Sequence, residues 1–310
     1  MKVQYDHKAL SSLYLWADDR ITRYADAVET GLNQRFYYSN ENIDVPPNLV
    51  AYYCPDRQLV ANGENVPTGV WVSGILDGDG NPQDYIFVGQ TTGANPDPTG
   101  LMIDFDQGRV LMGTGITNGD ASKLAITGAF DRKTLNVYIT NETEEQLLFN
   151  TDFVLADKDD ETFLQDITGL GQANYTVPAM FLSYNSSVNK PWAMGGIMDT
   201  VSKFRGVVIC NDNYSLDATL SLFRDSTETC VPLFDFTQFP FGEFFHIKNP
   251  PYTYSGLYAA GMQGNYGFME KVTCSKLYDS ASSATNIPQN MRIGFVDFEL
   301  SNFRVPRSEI

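Results

Sequence analysis

The turn residues constrain this chain most. From Pro46-Pro47 onward, short apolar runs alternate with clusters of Gly, Asn, Asp and Pro, a spacing that suits many short strands and leaves little room for long helices. Residues 49–53, 70–72, 85–88, 101–105 and 109–112 read as strands. The turns Asp77-Gly78-Asp79-Gly80-Asn81-Pro82 and Asp106-Gln107-Gly108 close hairpins, because Gly and Asn supply the positive φ that tight turns need. Further strands are expected at 124–126, 135–139, 147–155, 179–183, 205–210, 217–224, 291–298 and 300–305. The exception comes before Pro46. Leu10, Leu13, Tyr14, Ala17, Ile21, Tyr24, Val28 and Leu32 recur every three or four residues, with Asp18, Asp19, Arg23, Asp26 and Glu29 on the other face. That pattern predicts an amphipathic helix over 7–31.

The expected fold is mainly β. It comprises an N-terminal amphipathic helix (1–32), a small antiparallel β domain (33–115) and a larger β-sandwich-like domain (120–310), with a Gly, Thr and Asn-rich boundary between the last two. With 43% apolar and 13% aromatic residues, the chain can bury a core without metals or disulfides. Cys54, Cys210, Cys230 and Cys274 are widely spaced and read as free, buried thiols. No signal-peptide pattern and no membrane-length apolar run are seen, so cytoplasmic folding without membrane contact is expected.

Chemistry is hard to place. Only His7 and His246 could serve a nucleophilic triad, and His246 lies inside an aromatic run. No nucleophile elbow, zinc motif or phosphate loop is present, so neither a catalytic residue nor a cofactor is expected. Asp104 with Asp106, and Asp297 with Glu299, are carboxylate pairs of the kind a glycosidase uses, but nothing singles out either pair. Asp77, Asp79, Asn81 and Asp84 resemble the start of a calcium loop. Pro82 and the missing twelfth-position Glu make a plain hairpin tip the better fit.

Lys and Arg number 21 against 38 Asp and Glu, giving a net charge of −17. Such a surface repels nucleic acid, which suits either simple solubility or a lumen past which DNA slides without specific binding. The aromatic stretch 234–258 and the N-terminal helix are candidate subunit contacts, through Leu13, Tyr14, Ile21, Tyr24, Phe241, Phe244, Tyr252 and Tyr254. Packing within the chain is the alternative for both.

Two stretches resemble structural proteins of tailed-phage virions, in particular neck or head–tail connector subunits. One is Met102-Ile103-Asp104-Phe105-Asp106-Gln107-Gly108-Arg109-Val110. The other runs from Pro178 through Asn189-Lys190-Pro191-Trp192-Ala193-Met194-Gly195-Gly196-Ile197 to Leu216-Asp217-Ala218. Together they cover about a sixth of the chain and carry no catalytic signature. The resemblance implies a homo-oligomeric ring assembled in the host bacterial cytoplasm and built into the virion. Its partners would be portal, adaptor or tail proteins, with DNA passing through the ring. A receptor- or glycan-binding tail or fibre module and a capsid decoration protein are the alternatives. In the first stretch Gly108 allows the turn, and Arg109 can pair with Asp104 and Asp106, an interaction expected at the surface and worth under ~1 kcal/mol.

Overall fold

A computed structural model describes residues 5–23, 28–39, 45, 48–54, 58–62, 69–73, 86–89, 102–113, 125–150, 152–155, 174–242, 245–248, 252–261, 265–277 and 291–305. The fold is mainly β, with an N-terminal helix and two sheets. The first sheet has seven strands in the order β4-β3-β7-β1-β2-β6-β5. These are β1 (Val28–Ser39), β2 (Leu49–Tyr53), β3 (Gly69–Ser73), β4 (Ile86–Gly89), β5 (Met102–Asp104), β6 (Arg109–Gly113) and β7 (Ala125–Lys133). All their pairings are antiparallel. The hairpin of β5 and β6 forms as expected. Asp104 faces Arg109, and Gly108 takes φ +58° in the turn. Because β7 lies between β3 and β1, the boundary expected at 115–120 does not divide the sheets.

The second sheet has six strands in the order β13-β14-β15-β12-β11-β8. These are β8 (Asn136–Ile139), β11 (Ala179–Pro191), β12 (Met198–Cys210), β13 (Cys230–Pro232), β14 (Tyr266–Lys276) and β15 (Arg292–Arg304). Only the β8–β11 pairing is parallel. β9 (Asp152–Leu155) and β10 (Asn174–Val177) form a separate parallel pair. The helices are α1 (Tyr5–Thr22), α2 (Glu144–Asn150), α3 (Asn213–Arg224) and α4 (Tyr254–Gly261).

Three local expectations are corrected. The helix expected over 7–31 stops at Thr22, and Val28 starts β1, where its Cα partner is Lys133. Residues 147–150 are the end of α2, ahead of β9. Residues 217–224 are helical, because Leu216, Thr219, Leu220 and Phe223 share one buried face and Asp212 caps the N-terminus by accepting from Ser215 N. That face packs closely on β15 because Gly294 has no side chain: a Cβ there would come within 2.9 Å of Leu216 Cδ1.

α1 is a central helix. Ser12 to Asp19 are all buried, polar face included, as expected of a helix wrapped on every side. One continuous core joins Phe36, Tyr52 and Val110 of the first sheet through Leu13 and Trp16 to Phe204, Phe298 and Leu300 of the second. Trp16 sits against Phe223 and Phe298, with ring centroids 6.3 and 6.2 Å away. Ser12 Oγ accepts from Phe234 N at 2.9 Å, which ties the aromatic segment down over the helix. No helix among the described residues is long and apolar enough to cross a membrane.

Candidate interaction surface

Two places gather functional side chains. The first is a buried polar joint between the sheets. Gln58 places its amide beside Val137 of β8, accepting from Val137 N at 2.8 Å and donating to Val137 O at 2.6 Å. The same Nε2 donates to Asp106 Oδ1 at 2.8 Å, and Lys133 Nζ donates to Gln58 Oε1 at 3.4 Å. Lys133 also pairs with Asp18 of α1. Asp106 Oδ2 accepts from Gln107 Nε2 at 3.3 Å. Asp104 accepts from Gln107 N at 3.0 Å and from Arg109 Nε at 2.8 Å. The Asp104–Arg109 pair is buried rather than at the surface, so it belongs to the core network.

Burial, with Asp104 alongside, pushes the Asp106 carboxyl up to about 7. Burial also raises Asp104, more than Arg109 lowers it. A carboxyl titrating near neutrality is what acid–base catalysis uses. Here, however, all four carboxylate oxygens of Asp104 and Asp106 accept from Gln58, Gln107 or Arg109. The arrangement locks the β5–β6 turn, α1 and β8 together.

The residues expected at a subunit contact are placed inside the chain. Leu13, Tyr14, Ile21, Phe241, Tyr252 and Tyr254 are all buried in the common core. Phe241 packs on Phe245 and Tyr252, and Phe245 meets Tyr14 edge-on at 6.1 Å. The helix and the aromatic segment thus cover each other, and a side chain buried this way has no surface left for a neighbour. Tyr24, Phe244, Asp77, Asp79, Asn81 and Asp84 lie outside the described residues. Among the described residues, no group of three His, Cys, Asp or Glu side chains could hold a metal ion.

The second place is the far end of the second sheet. One face of this sheet lies on the common core. The other divides into three zones. Near β8 it is covered: Phe181, Val207, Ile209 and Ile293 pack under Tyr138, Leu147 and Val177. A charged band follows. Arg205 binds both oxygens of Asp297, at 2.6 and 3.0 Å, reaches Glu144 of α2 at 2.5 Å, and lies over the Phe295 ring. These hydrogen bonds, that to Asp297 first, hold the Arg205 guanidinium above its usual range. Beside it Lys203 donates to Glu299 at 3.2 Å.

Beyond this band large apolar side chains are exposed around a buried centre, where Val201 and Ser301 are 4% exposed and Ser301 Oγ donates to Asp199 Oδ1 at 2.5 Å. Strand register puts Val188, Val201, Ser301 and Phe268 in one row across β11, β12, β15 and β14. Lys190, Asp199 and Phe303 form the next row. Tyr266 lies two residues from Phe268 on the same side of β14. Val188, Phe303, Phe268 and Tyr266 are all exposed, Phe303 to 55%. The β11–β12 connection, residues 192–197, projects past them. Trp192 is 66% exposed and lies against Phe303, ring centroids 4.7 Å apart and tilted by 57°, and Met194 is fully exposed. Gly195 and Gly196, at φ +103° and +85°, make the tip, and nothing lies within 4 Å of where their Cβ atoms would be.

Sequence reasoning passed over Val188, Trp192, Met194, Phe268 and Phe303 as contact residues. A signal was present: Trp and Met flank a glycine turn where polar residues usually sit. Exposed aromatic and aliphatic side chains gathered at one end of a sheet make this surface the candidate for interaction. In comparisons with known proteins, no family model matches the chain, and no curated protein matches it.

Proposed function

We propose that this chain is a structural subunit of a tailed-phage virion, a ring-forming neck or head–tail connector protein that works by fitting surfaces together and catalyses nothing. The observation that carries the structural role is the cluster of exposed apolar side chains at the end of the second sheet, Val188, Tyr266, Phe268 and Phe303, with its protruding Trp192–Ile197 tip. A subunit that docks between rings must offer such a surface. The virion setting rests on the two resembling stretches, the second of which contains this tip. The saturated Asp104–Asp106 network supports a role without chemistry. The acidic balance suits a lumen that DNA traverses without sticking.

The test is electron microscopy of purified virions carrying a tag on this protein, together with the mass of the free protein in solution. Label at the head–tail vertex and a multimer in solution are expected. Label on capsid faces or at the tail tip would replace the connector role with decoration or receptor binding. A protein that stays monomeric at every concentration, and is absent from virions, would sink the proposal.

A further inference from the structure

We infer that the β5–β6 turn is a pH-operated latch between the edges of the two sheets, closed while Asp106 holds a proton and open once it gives the proton up. The inference is independent of the assembly reading.

The turn sits where both sheets end. β5 is the outermost strand of the first sheet and only three residues long, and β8 is the outermost strand of the second. Gln58 stands between them, with its amide on Val137 of β8 and on Asp106 Oδ1. One backbone bond ties the turn to the end of β2, from Cys54 N to Gly108 O at 2.8 Å. Asp106 and Gln107 already keep some exposed surface. Ile103 and Phe105 are anchored in the core, and the buried Asp104–Arg109 pair closes the hairpin behind the turn. Parting the turn from Gln58 therefore breaks few bonds and leaves the core around α1 packed.

The charges around Asp106 leave it without a counterion. The hairpin brings Asp104 and Arg109, with Tyr53 of β2 on the Arg109 guanidinium. α1 brings Asp18 and Tyr14, and Tyr138 of β8 and Tyr252 lie near Tyr14. β7 brings Lys133, with the partly exposed Asp131 two residues before it on the same side. Arg109 is committed to Asp104 and Lys133 to Asp18, both as buried pairs. Burial first, then Asp106 and Asp18, push the Tyr14 hydroxyl well above its usual range, so it stays neutral. Asp106 itself meets two neutral amides, those of Gln58 and Gln107. Protonated, it leaves two buried acids matched by two bases. Ionised, it adds a third negative charge that water solvates far better than the joint does. The proton also has an acceptor: Gln107 lies 3.3 Å from Oδ2 and receives it once its amide turns to present Oε1.

The direction of the response follows. Burial, then Asp104, place the carboxyl at about 7 in the closed turn. In water it returns to about 4. Closure is therefore favoured fully below about 4 and is lost as pH rises through about 7.

The test is residue-resolved amide hydrogen exchange on the full chain, corrected for the intrinsic effect of pH. The reporters are Gln107 N–H, which donates to Asp104 Oδ1, and Cys54 N–H, which donates to Gly108 O. They are expected to open at least about tenfold more often at pH 8 than at pH 5. At either pH they open far more often than the amides of β12 and β15, and low urea leaves their exchange unchanged, because a local opening exposes little surface. Asp106→Asn, which keeps the neutral shape at every pH, removes the pH dependence. Asp18→Asn releases Lys133 to face Asp106 and moves the midpoint to lower pH; it carries the test if Asp106→Asn fails to fold.

Reporters that open as rarely as β12 and β15, with the same urea dependence, would overturn the latch, since the turn would then part only in global unfolding. Opening that ignores pH, or stays pH-dependent in Asp106→Asn, would overturn the role of the Asp106 proton. An unmoved midpoint in Asp18→Asn would overturn the charge balance on which the latch rests.

Discussion

The amide of Gln58 occupies the position a strand would take beside Val137, satisfying both backbone groups of that residue. Gln58→Ala would leave a buried N–H and C=O without partners. It should lower the unfolding free energy by about 2–4 kcal/mol, read from urea denaturation. Loss of less than about 0.5 kcal/mol would show that water replaces the amide. Asp106 next to it gives a pH signature. Its carboxyl sits at about 7 in the fold and near 4 when unfolded, so the folded state holds the extra proton. This group therefore destabilises progressively as pH rises from about 4 to 7, and fully above that. Asp106→Asn should flatten the fall in melting temperature between pH 5 and pH 8. Because Asp106 keeps some exposed surface, the gain at pH 8 is on the order of 1–2 kcal/mol. An unchanged pH profile would refute the assignment.

At the scale of elements, α3 depends on its first turn. Asp212 accepts from Ser215 N at 2.8 Å and from Ser215 Oγ at 2.7 Å. Asp212→Ala should cost about 1 kcal/mol in chemical denaturation, and Asp212→Asn much less. Those hydrogen bonds also hold the Asp212 carboxyl below its usual range, so its contribution is present at neutral pH and lost as pH falls through the lowered value. The elements also show what the sequence could reveal. The β5–β6 hairpin was legible because its turn chemistry is local. α3 was misread because Leu220 and Leu222 alternate like a strand, while the helical evidence, the Asp212 cap and Leu216, lies upstream. The end of α1 was misplaced because Val28 and Leu32 continue the helical stripe, whereas the pairing of β1 with β7, Val28 opposite Lys133, depends on residues far along the chain. The contact surface was hidden for a similar reason. Tyr252, between Pro251 and Thr253, and Phe303, between Asn302 and Arg304, are both aromatic residues in mixed surroundings, and only the packing of the folded core buries the first and leaves the second 55% exposed.

At the scale of the whole molecule, a single core passing through α1 predicts one cooperative unfolding transition despite two sheets. Tryptophan fluorescence, which samples Trp16, Trp71 and Trp192 together, and far-ultraviolet circular dichroism should give coincident midpoints; separated midpoints would mean that the sheets melt independently. Trp16→Ala, about 3–5 kcal/mol destabilising, should shift both signals together. The same helix also ties together distant parts of the chain, since 222 residues separate Ser12 from its partner Phe234. A ribosome adding about 5–20 residues per second takes roughly 10–40 s to cover that distance. Throughout that interval the apolar stripe of Leu13, Trp16 and Ile21 is in the nascent chain without β14 and β15, which complete its enclosure, Phe298 against Trp16 among them. Maturation of this protein is therefore gated by the arrival of its last strands, and chaperone capture is expected while α1 waits for them.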